Sequence, residues 1–216
     1  MLKTIRDLLR ETDILIQAVR EGKLDTRGSA SAFTGSWGEL VGGINTLVDA
    51  FMAPFNVTAE YVERIGKGDL PPKITDTYYG DFNEIKNNLN ACIDAISTLV
   101  AEVTALIQSA VEGRLEIRGE AGKFSGDYAR IINGVNQAVD TLVGHINAIP
   151  IPVMIIDKDF SIRFMNKAGA AVIGMTPEQL IDQKCYNHFK TSDCQTANCA
   201  CSRAIGSGKA SSRTPA

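Results

Sequence analysis

Between residues 1 and 148 the apolar positions recur mostly at alternating spacings of four and three. Leu99, Val103, Leu106 and Ala110 form one such seam, with Val100 and Ile107 beside it, and Leu8, Leu15 and Val19 form another, with Thr12 in one layer. That period puts the side chains on one stripe of a helix packing lengthwise on a neighbour. Second helices follow, carrying Leu40, Ile44, Leu47 and Val48, then Ile85, Leu89 and Ile93, then Ile131, Val135 and Val139. After Pro150 and Pro152 the period changes. Residues 153–157 and 161–166 read as two strands of a hairpin turning through Lys158, Asp159 and Phe160. Residues 167–174 and 176–181 read as short helices, the second with Thr176 as N-cap and Pro177 at its first position.

The helical region repeats itself. The run from Leu15 to Gly28 aligns without gaps on the run from Leu106 to Gly119, and the same offset pairs Phe33 with Phe124, Gly35 with Gly126, Asn45 with Asn136 and Asp49 with Asp140. A more divergent copy lies between them, in which Gly68, Asp69 and Leu70 replace Gly22, Lys23 and Leu24, while Gly80, Asn90 and Asp94 keep the register. A unit of helix, connector and helix therefore returns about every 45 residues. Alternate copies resemble one another more than neighbours do, which predicts two classes of unit. Glycines 22, 68 and 113 are placed to end the first helices, and Leu24, Leu70 and Leu115 to anchor extended connectors. Neither helix of a pair buries a stripe alone, so the pattern predicts a rod-like homodimer of parallel helices. Helices of adjacent units are expected to fuse near residues 38–67 and 83–112. An ordinary monomeric helical bundle or a structural coiled coil is the alternative.

Pro54 opening a helix, the run Gly66-Lys67-Gly68-Asp69-Leu70, then Asp81-Phe82-Asn83-Glu84-Ile85 and Leu89-Asn90 resemble the HAMP domain of bacterial receptors and sensor kinases. Glu39 keeps the glutamate of the second helix in the first copy, whereas the third has Ala129 and Arg130 there. The tandem arrangement is similar to that of methyl-accepting chemotaxis proteins. The resemblance implies a mainly α protein: tandem dimeric parallel four-helix coiled coils over residues 1–52, 53–97 and 98–148. It further implies that small displacements pass along the bundle between alternative packings.

Asp157, Ile162, Asn166, Ala168, Gly174 and the run Thr176-Pro177-Glu178-Gln179-Leu180 resemble the first half of a PAS domain. Residues 149–216 are accordingly expected to form a partial α+β PAS-like domain, because further strands follow the helices in the complete fold.

Charge and composition narrow the partners. The 25 acidic and 22 basic residues leave a net charge of -3 with no basic patch, which argues against nucleic acid. No uninterrupted apolar run reaches the roughly 18 residues of a bilayer span, the best candidate, Ala148 to Ile156, being broken by its prolines. The N-terminus runs into charged helical pattern rather than a secretory signal. A cytoplasmic location is expected, in a parent that is membrane-anchored or not.

Four of the five cysteines, Cys185, Cys194, Cys199 and Cys201, cluster near the C-terminus. In a reducing compartment such a cluster points to a metal, to thiol redox chemistry or to ordinary packing. Four thiolates suit an iron–sulfur cluster or zinc, although no paired Cys-x2-Cys knuckle is present. His188 is a candidate axial haem ligand. Cys92 is expected in the core, His145 on the surface or seam, Trp37 as a cap of the bundle, and Glu102 on an outer position. With no phosphate-cradling glycine loop and no nucleophile paired with a base, the segment reads as non-enzymatic. Its expected role is relay and sensing in a chemotaxis transducer acting on a downstream signalling module. The same input machinery on a histidine kinase or cyclic-dinucleotide enzyme, and a static scaffold, are the competing readings.

Overall fold

A computed structural model describes residues 2–212; Met1 and residues 213–216, the outer ends of the first and last expected segments, lie outside the described residues. The chain forms two compact units, residues 1–95 and 96–216.

The first unit contains α1 (Leu2–Arg20), α2 (Ser36–Gly66) and the opening half of α3 (Gly80–Val111). Helix fusion across the repeat boundaries is realised in α2 and α3, of 31 and 32 residues. Pro54 lies inside α2. Each first helix ends in the same way: Gly22, Gly68 and Gly113 take φ of 74°, 79° and 80°. The next residue's N–H then closes back on the helix, Lys23 onto the Ala18 carbonyl, Asp69 onto Arg64 and Arg114 onto Ser109, at 2.8–2.9 Å. This left-handed closure is open to glycine without a Cβ penalty.

The connector then runs back beside both helices. In the first copy Arg27 pairs with Asp49 at 2.7 Å. The Gly28 N–H donates to Asn45 Oδ1 at 2.8 Å while Asn45 Nδ2 donates to the Gly28 carbonyl at 2.9 Å. The Ser29 N–H donates to Glu11 Oε1 at 2.7 Å. As the connector advances from 27 to 28 its partners on α2 retreat from 49 to 45, so it runs antiparallel to α2 and, from Lys23 beside Ala18 to Ser29 beside Glu11, antiparallel to α1. The two helices therefore run parallel.

The third copy, in the second unit, reproduces every contact. Arg118 pairs with Asp140, Asn136 exchanges two hydrogen bonds with Gly119, and the Glu120 N–H donates to Glu102 Oε1. The middle copy keeps the amide clamp, Asn90 with Ile74, but replaces arginine by Lys73, paired with Asp94. Arg27 and Arg118 also donate to two connector carbonyls each, which a lysine ammonium does not reproduce here. Two classes of unit thus exist, one more tightly stitched than the other.

The inward stripes differ in detail from the sequence pattern. Val41 and Ile132, equivalent positions, are fully buried, whereas Leu40 and Ile131 face outward. In α1 it is Ala18 rather than Val19 that packs inward. The connector, absent from a simple two-helix picture, lies between the helices and rotates their inward faces by about one residue. Glu102 is not an outer position, since it holds the connector. Cys92 is exposed rather than packed in the core. His145 is exposed, as expected.

A second apolar stripe stays uncovered within the chain: Ile5, Leu9, Ile16 and Val19 on α1, and Val100, Ile107 and Val111 on α3. Helices α2 and α3 are long and apolar enough to cross a membrane by length and composition, with mean hydropathies of 1.2 and 1.5 over 18 residues. The expectation that no stretch qualifies as a span is corrected in that respect. A window average absorbs scattered Asn, Thr and Gly residues that interrupt an apolar run.

The second unit continues from α3 through α4 (Gly126–Ala148) into β1 (Met154–Ile156) and β2 (Ile162–Met165), an antiparallel hairpin, and then α5 (Lys167–Val172), α6 (Pro177–Leu180), α7 (Cys185–Phe189) and α8 (Ala200–Ser207). Ile162, Met165, Ala170, Leu180 and Cys185 form its core, with Phe160, Tyr186 and Phe189 against it. Gln179 Oε1 accepts from the Thr176 N–H at the start of α6, with Pro177 at the first position.

A Cβ on Gly119 would lie 2.8 Å from Ile132 Cγ2 and 2.9 Å from Leu106 Cδ1. Gly119→Ala is therefore expected to lower stability by about 1–3 kcal/mol through overpacking, measured by urea denaturation. An unchanged midpoint would contradict the close approach of connector and helices.

Candidate functional site

Two side-chain amides, Asn166 and Asn147, link the C-terminal module to the end of α4. Asn166, fully buried at the end of β2, accepts on Oδ1 from the N–H groups of Val153 and Gly169 at 2.9 and 2.8 Å. Its Nδ2 donates to the Ile151 carbonyl at 2.9 Å and reaches those of Ile146 and Ile149 at 3.3 Å. Asn147 Oδ1 returns a contact by accepting from the Lys167 N–H at 3.0 Å. A buried amide with both ends satisfied tolerates no displacement of one partner without loss of another. Movement of the hairpin is thereby tied to the last turn of α4.

The hairpin turn is set by Asp157, whose Oδ1 accepts from the N–H groups of Asp159 and Ser161 at 2.9 and 2.8 Å. Oδ2 pairs with Arg163 at 2.7 Å, and Arg163 also bonds Asp182. Partial burial pushes the Asp157 carboxyl up, but the two backbone donors and Arg163 outweigh it and hold the group below its ordinary value of 3.8. In this turn Phe160 adopts φ 64°, uncommon for a bulky residue. The geometry delivers the Phe160 ring beside Tyr186, edge-on at 6.4 Å between centroids.

Those two rings form part of the wall of a cavity of about 440 Å³ that Cys185, Cys194 and Cys199 also line. Cys185 opens α7, its N–H held by the Phe160 carbonyl at 3.0 Å. Cys194 sits in a turn closed by its own N–H to the Thr191 carbonyl, with its sulfur 3.2 Å from Thr191 Oγ1. Cys199 caps α8, and Cys201 follows it in the first turn of that helix. The thiols of Cys185 and Cys201 are raised, first by burial and then by the other cysteines around them.

Three of the four candidate ligands, Cys185, Cys194 and Cys199, thus line one cavity, and Cys201 does not line it. As they stand, no three His, Cys, Asp or Glu side chains among the described residues have the spacing of a closed metal site. His188 lies on α7 but does not line this cavity, and its buried Nε2 makes no hydrogen bond among the described residues. Phe160 and Tyr186 were not legible as lining residues, because Phe160 reads as an ordinary turn position and only its left-handed backbone turns the ring inward.

A second, more open cavity of about 920 Å³ lies between the third connector with α4 and the helices α5 and α6. Arg118, Asp140 and Lys167 line it beside Phe164 and Met165.

Asp157 gives a pH dependence of known sign. With its folded value depressed, its stabilising contribution is present above about pH 3.9 and disappears as pH falls through the lower folded value. Asp157→Asn is expected to lower the melting temperature at neutral pH and to flatten its fall in acid. Parallel acid limbs for the two proteins would contradict this assignment.

Comparison with known families bears on both units. Residues 32–98 match the HAMP domain, from the second helix of the first copy through the middle copy, and residues 146–215 match the PAS fold. No solved structure matches the chain. HAMP and PAS domains are therefore present, and they place the chain in a signal-transduction sensor.

Proposed function

We propose that this chain is the relay and sensory segment of a chemotaxis transducer of the methyl-accepting type, in which three HAMP-like units pair with a second copy as parallel four-helix bundles. The observation that carries the reading is the uncovered apolar stripe beside each clamped helix pair. Val100, Ile107 and Val111 repeat at the spacing of a coiled-coil seam, and their exposures of 53%, 59% and 76% are those of side chains lacking a partner helix. A second copy of the same chain offers the same stripe, as a two-fold interface requires.

The pairing also accounts for the apolar character of α2 and α3 without a bilayer. An extended connector with irregular backbone lies alongside each of them, held by Asn45, Asn90 and Asn136. Such backbone is not sustained against lipid, where every N–H and C=O must be satisfied internally. We place the segment in the cytoplasm, with any anchor elsewhere in the parent protein.

Within the relay, the middle unit is the more weakly stitched, having lysine where its neighbours have arginine. It is the natural place for a switch between packings, and the Asn166 junction is the path by which the PAS module biases the last unit. The segment acts by conformation rather than catalysis. The same machinery suits the input side of a sensor histidine kinase or a cyclic-dinucleotide enzyme, and the output module of the parent distinguishes these.

Ile107→Glu is expected to halve the solution mass by light scattering while retaining helical circular dichroism, and to abolish signalling in the parent receptor. Leu106→Glu, by contrast, is expected to disrupt its own unit, because Leu106 is buried within it. An Ile107→Glu protein of unchanged mass would overturn the pairing.

A further inference from the structure

The three glycines that end the first helices are equivalent in sequence and in backbone, with φ of 74°, 79° and 80°, yet their surroundings differ. Gly22 and Gly68 are exposed, and a Cβ on either would meet nothing within 4 Å. Gly113 is buried, and a Cβ there would lie 2.5 Å from Ile155 Cγ2 and 3.5 Å from Arg163 Cβ. The β1–β2 hairpin therefore covers the end of α3, at a point where a residue without a side chain leaves it room.

The hairpin presents a separate face for this contact. Met154 and Ile156 on β1 pack on the module's own core, whereas Ile155 between them does not belong to that cluster, in keeping with the two-residue alternation of a strand. Phe164, the ladder partner of Ile155 on β2, is buried and lines the wall shared with Leu115 of the third connector and Val143 of α4. On the other helix of the unit the module is held by polar contacts. Asn166 Nδ2 reaches the Ile146 carbonyl at 3.3 Å, and the Lys167 N–H donates to Asn147 Oδ1 at 3.0 Å. One hairpin thus touches the ends of both parallel helices, by packing at α3 and by hydrogen bonds at α4.

We propose that Ile155 and Phe164 form an intramolecular docking face for the third HAMP-like unit, seated on Gly113, so that the C-terminal module braces the two helix ends of that unit against each other. The open surroundings of Gly22 and Gly68 mean that the first and middle units have no such brace at the same point. The inference deepens the relay reading and rests on it for its use in signalling. What the module biases is the register between α3 and α4, which hydrogen bonds to α4 alone do not fix.

The test compares, by hydrogen exchange in the full chain, three equivalent backbone bonds: the Arg114 N–H to the Ser109 carbonyl, Lys23 to Ala18 and Asp69 to Arg64. The brace predicts a higher protection factor at Arg114 than at the other two. Ile155→Ala, which leaves Gly113 unstrained, is expected to lower it roughly tenfold and to leave Lys23 and Asp69 unchanged. Gly22→Ala and Gly68→Ala carry the left-handed strain alone and are expected to leave exchange across residues 153–166 as it is. Gly113→Ala adds the clash with Ile155 and is expected to speed that exchange, and the double variant with Ile155→Ala to restore it, because the atom that the new Cβ meets is gone. Equal protection of the three amides would overturn the docking face, as would a Gly113→Ala protein that behaves like Gly22→Ala. Solution mass measured on the same samples separates the two ideas. A monomer with a protected Arg114 amide keeps the docking face and removes the paired relay, and a dimer with three equal amides does the reverse.

Discussion

The architecture of the helical region depends on one side-chain amide per repeat. Asn45, Asn90 and Asn136 each spend both ends of the amide on the backbone of a single connector residue, donating to its carbonyl and accepting from its N–H. An extended connector has no ladder of its own, so its polar backbone must be satisfied by side chains where it is shielded from water. The amide does this at one point and fixes the connector's height against the second helix. Neutral hydrogen bonds of this kind contribute only about 0.5–1.5 kcal/mol each. Their main effect is register: with Gly28 or Gly119 seated between the helices, Val41 and Ile132 turn inward and the flanking apolar residues turn out.

That division of each helix surface links packing to signalling. One stripe is consumed within the chain and the other is left exposed, which is the surface the proposed pairing with a second copy would cover. The clamps are alike in the outer copies and weaker in the middle one, where lysine replaces an arginine that elsewhere also ties two connector carbonyls. A relay needs alternative packings of similar energy, and a graded series of clamps supplies a place where one packing yields to another. In the second unit, Asn166 repeats the logic of the connector amides on a larger scale, bonding to the hairpin, α5 and the last turn of α4.

Much of this was legible in the residues. The offset pairing of Asn45 with Asn136 and Asp49 with Asp140 located the clamp and the ion pair before their roles were visible, and glycines 22, 68 and 113 marked the helix ends. The hairpin and its two following helices were also readable, from Thr176-Pro177 and the turn before Ser161. What was not readable was which of two adjacent apolar residues faces in. Leu40 and Val41, or Ile131 and Ile132, differ by one position in a helix, and the third body that decides between them is a connector without a periodic signal. The inward role of Glu102 is hidden from the sequence for the same reason, its partner being a backbone N–H. For the cysteines, proximity in sequence is matched in space for Cys185, Cys194 and Cys199, which line one cavity, while the inward Phe160 ring depends on a left-handed turn residue that sequence pattern does not announce.

In the proposed pairing the uncovered stripe of each helix meets its own counterpart across a parallel two-fold axis. The most direct measurement is a disulfide-crosslinking scan with single cysteines placed from residue 99 to 111 in a chain whose other cysteines are replaced by serine. Such pairing predicts maxima at 100, 107 and 111, the exposed apolar positions, with little crosslinking at 103 and 106, which face inward in their own unit. Uniformly low crosslinking along the helix, or maxima at 103 and 106, would contradict it.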